Sequence, residues 1–425
     1  MQPLAHQLTK SAELFSVLAK HKYAMLFGLV RSGKSLTSLL AIEHSRTINS
    51  VLIITKKAAI KGFNLFVNDP ELRANGHLTK SYHVVNYEAL GKVAMREHDK
   101  KGKLLKKPVE EVQLKLNPDD YDFIICDEVH QLAKIGKPSN RYKLVRAMVG
   151  DKPFLVMSGT PTIETGAAIY YEMSISTRSP FPQKSFYDFF REHGIPQLKR
   201  ISATREVNDY TLVKPSLQEY VDQFTVRMSQ VDAGIHEDIQ SNVVPHLVEL
   251  DPLTKVWYNQ LQSDRLLKLP TDILVADSTM KLRSSLYMLE CGIAKVDDDY
   301  IELGNLERVN YIKQHFTITE HSVILSAFIG EQRLLAKHFP QATVDSVISK
   351  AEGVDYSHAD HFIITSLSFS GSKFSQVIDR VVNLANESTI PTNVLISPGA
   401  ISEQVLEVVS NKQSFNNATF NQSPI

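Results

Sequence analysis

The sequence predicts an α/β fold: two parallel-sheet domains joined by a mostly helical connector. Three observations carry that expectation. Short apolar runs rich in branched residues alternate with helix-length stretches over residues 1–165. The same rhythm returns after residue 246. Between them, residues 166–245 are dense in aromatics (YYEM, FYDFF), are punctuated by Pro180 and Pro182, and show few strand patterns. Strands buried on both faces read as continuous apolar runs, and strand alternating with helix gives an open sheet covered on both sides.

The expected strands of the first segment are 23–27 (YAMLF), 51–55 (VLIIT), 82–87 (YHVVNY), 123–126 (FIIC) and 154–157 (FLVM). Over 35–47, Leu36, Leu39, Leu40 and Ile42 recur at helical spacing, which predicts one buried helix face. In the later segment the strands are 323–328 (VILSAF), 362–365 (FIIT), 381–384 (VVNL) and 394–396 (VLI), with helical patterns over 331–338 and 401–411. Residues 413–425 are polar and aperiodic and read as a flexible tail. The expected organisation is therefore a first domain over 1–165, a helical connector over 166–245, a second domain over 246–412 and the tail. A length of 425 residues suits that division at about 100–200 residues per domain.

Composition narrows the class further. Hydrophobic residues make up 43% and charged residues 22%, which excludes disorder over most of the chain. The formal net charge is zero, but residues 1–165 hold 25 basic and 16 acidic side chains (+9), and residues 166–425 hold 22 and 31 (−9). A basic half beside an acidic half points to a polyanionic partner for the first. The two cysteines, Cys126 and Cys291, lie in apolar runs, which suits buried thiols and excludes a disulfide framework. No apolar run approaches the roughly 18 residues of a membrane helix, so a cytoplasmic protein is expected. The histidines form no Cys/His pattern suited to zinc. Asp297, Asp298 and Asp299 read as a solvated turn, and Trp257 and Tyr258 as core packing.

Two motifs carry chemistry. Gly28-Leu-Val-Arg31-Ser32-Gly33-Lys34-Ser35 fits G-x-x-x-x-G-K-[ST] and stands between an expected strand and an expected helix, the context the motif needs. Successive backbone N–H groups and a helix N-terminus form an anion nest for phosphates. Lys34 then reaches the β- and γ-phosphates, and the Ser35 hydroxyl ligates Mg²⁺. About 90 residues later, Asp127-Glu128-Val129-His130 follows the run FIIC. Asp127 stands where a second Mg²⁺ contact is needed, and Glu128 could act on an attacking water.

With these residues in view, the sequence resembles a superfamily-two helicase or translocase of the Swi/Snf-related type, in the compact form that phages carry. His6-Gln7 looks like the adenine-reading glutamine segment. Thr55-Lys56-Lys57 is similar to the first nucleic-acid-contacting motif, and Asn86-Tyr87-Glu88 to the family's Tyr-Glu segment. Asp127-Glu128-Val129-His130 matches the DExH box, and Ser158-Gly159-Thr160-Pro161 the S-G-T-P motif. Arg227, DPLTKVWYNQL, MKLRSSLYMLECG and VILSAF follow in family order, so the likeness spans residues 3–410. The resemblance implies two RecA-like domains, ATP and Mg²⁺ bound at Gln7, Gly28, Arg31, Ser32, Gly33, Lys34 and Ser35, and catalysis by Lys34, Asp127 and Glu128. It implies nucleic-acid contacts at Thr55, Lys56, Lys57, Thr160 and Thr365.

The second half departs from the family. The Q-x-x-G-R-x-x-R motif, whose arginines reach the γ-phosphate, is missing: NESTIP alone separates DRVVNLA from TNVLIS, and no arginine follows Arg380. An arginine finger contributes about 10³–10⁵ in rate. Arg380, with Gln376 at the motif's spacing, is the nearest substitute, Arg333 a lesser one, and a partner protein could supply the group instead. Arg96, Lys100, Lys101, Lys103, Lys106 and Lys107 cluster before the acidic-box strand, flanked by Gly102 and Pro108, and are expected in an exposed loop that tracks DNA. The reading is a monomeric, DNA-dependent ATPase that moves along DNA and remodels forks or branched DNA, in the host cytoplasm if phage-encoded. The alternative is an ATP-binding nucleic-acid clamp that barely hydrolyses.

Overall fold

The computed structural model describes residues 1–28, 32–98, 104–159, 166–202, 205–229, 232, 243–270, 272–348, 356, 359–378 and 390–410. The chain divides into two compact units, Met1–Ile235 and His236–Ile425.

The first unit is built on six parallel strands: β1 (Tyr23–Gly28), β2 (Ser50–Thr55), β3 (Ser81–Asn86), β4 (Phe123–Cys126), β5 (Phe154–Ser158) and β6 (Thr225–Met228), in the order β6-β1-β5-β4-β2-β3. Alternation along each strand splits its side chains between two cores. Ala24, Leu26, Ile53, Ile125, Leu155 and Met157 share one core with Leu14 and Leu18 of α1 (Ala5–His21) and Leu36, Leu39 and Leu40 of α2 (Lys34–Glu43). Met25, Phe27, Leu52, Ile54, Ile124 and Val156 point into the other, against the helix Asn140–Val149 and a run of aromatics.

Those aromatics correct the expected connector. Tyr170, Tyr171, Phe186 and Phe189, with Leu217 and Val221, are the cover of the sheet's second face. Residues 166–229 therefore belong to the first unit, and its last strand, β6, pairs beside β1. The physical reason is that a parallel sheet needs cover on both faces, and on the second face the helix Asn140–Val149 shares that task with these aromatics. The connector is not wholly helical either, since Gln197–Ser202 and Arg205–Asp209 form an antiparallel hairpin.

Part of the basic cluster departs from its expected loop as well: Arg96, Lys106 and Lys107 lie in strands, while Lys100, Lys101 and Lys103 lie outside the described residues. Gly91–His98 and Leu104–Leu114 pair as a long hairpin. Val93, Val112 and Leu114 pack against the aromatic core. Their alternation with charged residues is a strand pattern that the density of lysines conceals. One acid answers part of the charge, Glu111 at 3.3 Å from Arg96, while Glu110 on the same strand pairs with Lys143 of the helix Asn140–Val149.

The second unit carries five parallel strands: β7 (Val243–Leu247), β8 (Val323–Ser326), β9 (Thr343–Ser346), β10 (Phe362–Ile364) and β11 (Thr392–Ile396), in the order β7-β11-β10-β8-β9. β7 straddles the boundary expected between residues 245 and 246. The strand expected over 381–384 and the tail over 413–425 lie outside the described residues. Asp297 and Asp298 form the exposed turn of the hairpin Ile293–Val296/Asp299–Glu302, with Asp297 at φ 51°. Tyr258 is buried in the core and Trp257 packs against it. Cys126 and Cys291 are buried free thiols. No helix among the described residues is long and apolar enough to cross a membrane.

Candidate functional site

Three adjacent strands, β1, β5 and β4, end on the same edge of the first sheet. In an open parallel sheet, ligands bind outside the carboxyl ends of the strands. The sequence motifs stand there because each immediately follows one of these strands.

After β1 the chain leaves at Gly28 and re-enters helix at Lys34, with Gly33 as N-cap at φ 84°. Glycine is favoured at both positions. A β-carbon at Gly28 would lie 2.6 Å from Ser32 Oγ, and one at Gly33 would lie 2.4 Å from Gln7 Nε2, besides meeting the left-handed backbone penalty. α1 packs against Ser32 and Gly33. His6 Nε2 is 3.1 Å from the Ser32 carbonyl, and Gln7 Nε2 donates to the Gly33 carbonyl at 3.4 Å. Gln7 is buried, and its Oε1 accepts the Leu4 N–H. Lys34 and half-buried Ser35 begin α2, whose first N–H groups have no partner within the helix.

After β4, Asp127 is 4% exposed, and Glu128 adopts φ 52°, ψ 49°, a left-handed conformation that costs a carboxylic side chain about 1–2 kcal/mol. Thr55 Oγ1 donates to Asp127 Oδ2 at 2.6 Å, and Tyr87 Oη donates to the Asp127 carbonyl at 2.6 Å. The Asp127 N–H donates to the Ile54 carbonyl. Asp127 Oδ1 and Ser32 Oγ are buried with no hydrogen-bond partner, and Glu128 Oε2 is shielded from solvent beside His130. Burial, and then the neighbouring Glu128 charge, push the Asp127 carboxyl up to about 6 against the pull of Lys34 and Thr55. Burial pushes Glu128 the same way, but Lys34, His130, Lys56 and the Gly159 N–H outweigh it and hold its carboxyl below the usual range. Two adjacent carboxyls are thus driven apart, one toward the acid and one toward the base.

After β5, Ser158 Oγ is 3.3 Å from His130 Nδ1. The same Nδ1 is 3.2 Å from Glu128 Oε2, and His130 Nε2 is 3.4 Å from Lys56 Nζ. Lys34 Nζ lies 3.4 Å from where a β-carbon on Gly159 would stand. The structure therefore brings together Gln7, Gly28, Ser32, Gly33, Lys34, Ser35, Asp127 and Glu128.

Other expected site residues fall elsewhere. Thr55 is fully buried and spends its hydroxyl on Asp127, so its role is to hold a carboxylate and its side chain does not face solvent. Lys56 reaches His130, while Lys57 is exposed on the turn Lys57–Ala59. Thr365 is buried in the second unit. Its hydroxyl donates to the Leu325 carbonyl and its own carbonyl accepts from Arg308, so its side chain too is closed to solvent. Arg333 is exposed on the helix Ile329–His338. Arg31, Lys100, Lys101, Lys103, Thr160 and Arg380 lie outside the described residues. Sequence reasoning missed the supporting roles of Thr55 and Tyr87. The one available signal was their place at or just past a strand's carboxyl end.

The residues fit a nucleotide with its divalent ion. Hard carboxylate and hydroxyl oxygens suit Mg²⁺, which is usually held by one or two protein oxygens plus phosphates. Among the described residues no group of three or more His, Cys, Asp or Glu could hold a metal unaided. No protein-family model matches the chain, and no curated protein is significantly similar to it.

Proposed function

We propose that the chain is a DNA-stimulated ATPase with RecA-like domains that moves along DNA and remodels forks or branched duplexes. The observation that carries this reading is Lys34 beside two adjacent carboxylates, of which buried Asp127 Oδ1 has no hydrogen-bond partner while Glu128 Oε2 lies 3.2 Å from His130 Nδ1. Buried polar atoms without partners are rare and call for a ligand. Bound Mg²⁺·ATP supplies the scissile phosphoanhydride and neutralises its own oxygens. Lys34 and the α2 N–H groups bind the phosphates. Ser35 and Asp127 Oδ1 would hold the metal. Glu128, ionised at neutral pH, accepts a proton from water at a carboxylate oxygen. His130 links Glu128 to Ser158 on the next strand and to Lys56 after β2, which gives the nucleotide edge a route to the exposed Lys57. The +9 balance of residues 1–165 supports a polyanionic partner held through its backbone.

The test is ATP hydrolysis measured alone and with single-stranded, duplex and forked DNA. Lys34→Ala should abolish hydrolysis and nucleotide binding. Glu128→Gln should retain binding and lower the stimulated rate by about 10²–10⁴. A folded protein with no hydrolysis under any of these conditions would overturn the enzyme reading. The missing arginine motif favours one second reading, a nucleotide-switched DNA clamp, in which Glu128→Gln leaves DNA binding unchanged and no stimulated rate exists to lose.

A further inference from the structure

The two helices that frame the phosphate loop have a second end. α1 runs from His6 and Gln7, at Ser32 and Gly33, to its C-cap at Lys22. α2 runs from Lys34 to its C-cap at His44. At that far end, beside the residues that lead into β1, β2, β4 and β5, lies a cavity of about 370 Å³. The size is at the lower end of the range for small-molecule sites, about 300–1,000 Å³.

Its walls are of two kinds. Phe15, Ala19 and Pro153 are apolar and at least partly exposed over buried Leu18, Ile42 and Phe123, whereas Lys22, His44 and Arg46 are exposed, and no Asp or Glu lines the cavity. Neither Lys22 nor Arg46 is held in an ion pair among the described residues. The carbonyl ends of the two helices contribute about half a negative charge each, which two full positive charges more than offset.

The cavity is also braced. Buried Lys80 donates its ammonium to the Ser45 and Ile48 carbonyls at 2.7 and 2.6 Å, which fixes the turn that carries Arg46. Ser11 Oγ lies 3.3 Å from His44 Nε2, and the Phe15 and His44 rings pack at 5.5 Å, which ties α1 to the end of α2.

We propose that this cavity binds a small amphipathic anion, an apolar body of a few carbons carrying a carboxylate. Apolar walls take the body, and a cationic mouth free of acids takes the head. The site is separate from the nucleotide edge, and its test reads binding directly, whatever becomes of the ATPase reading.

The experiment titrates hexanoate and its neutral analogue hexanamide against the full chain, followed by methyl NMR of Leu18, Ile42 and Ile48. Hexanoate should shift these methyls saturably, and hexanamide should bind roughly tenfold more weakly. The double variant Lys22→Ala/Arg46→Ala alters only exposed side chains and should keep the wild-type Tm while losing the preference for the acid. Absence of a saturable shift, equal affinity for acid and amide, or a preference that survives in the double variant would each overturn the proposal.

Discussion

Replacing Thr55 by valine removes one hydroxyl and almost no volume from a fully buried position. The lost bond is the 2.6 Å donation to Asp127 Oδ2, and Oδ1 has no partner to compensate. A hydrogen bond to a charged group is worth about 1.5–3 kcal/mol. Its loss acts on the ionised carboxylate and spares the neutral acid. At 1.36 kcal/mol per pH unit, the Asp127 carboxyl should move up by about one to two pH units, from a start already near 6. A divalent ion needs the carboxylate form, so metal affinity at neutral pH should fall by about tenfold or more and recover in alkali. The assay is Mg²⁺-dependent nucleotide binding from pH 5.5 to 9, with Thr55→Ser as the conservative variant that restores the hydroxyl. DNA affinity without nucleotide should not change. If valine left the pH profile unmoved while weakening DNA binding, the assignment of Thr55 to Asp127 would be wrong, and the motif's expected contact with nucleic acid would be right.

Two further outcomes follow from buried ionisable groups outside the site. Glu172 is 2% exposed, its Oε1 has no partner, and burial pushes its carboxyl up to about 8. The unfolded chain loses this proton near pH 4.5 and the folded chain near 8, so Glu172 costs stability as pH rises through that window. Glu172→Gln should therefore raise Tm little at pH 4.5 and progressively more toward pH 8; a Tm gain independent of pH would refute the burial argument. In the second unit, Arg308 and Glu290 form an ion pair at 2.9 Å with side chains 3% and 0% exposed. Arg308→Met should cost about 3–5 kcal/mol by leaving a buried charge, and Arg308→Met/Glu290→Leu should recover most of it. Denaturant unfolding of the two variants decides the matter, and a double variant no more stable than the single would count against the pair.

Much of this fold is legible in the chain, for an identifiable reason. A parallel strand is buried on both faces, so β1, β2, β4, β5, β8, β10 and β11 each appear as an apolar run that needs no partner to be recognised. The phosphate loop and acidic box are equally local: Gly28 to Ser35 and Asp127 to His130 are each contiguous, and each follows such a run. The failures share a cause as well. Aromatic density over 166–222 marks burial but not against what, and only packing on the sheet's second face assigns those residues to the first unit. The hairpin 91–114 was hidden because charge dominates its outward face while Val93, Val112 and Leu114 turn inward.

What the sequence determined by itself is the alternation of elements and the identity of the chemical groups, because both are written in neighbouring residues. What only the tertiary structure decided is where those groups point. Strand register across β2 and β4 pairs Ile54 with Cys126 and so lays Thr55 beside Asp127, residues 72 positions apart. The left-handed turn at Glu128 and the convergence of His130, Ser158 and Lys56 depend likewise on three strands ending at one edge. The acid-free cavity at the opposite end exists because α1 and α2, each unremarkable in sequence, run side by side across the same sheet.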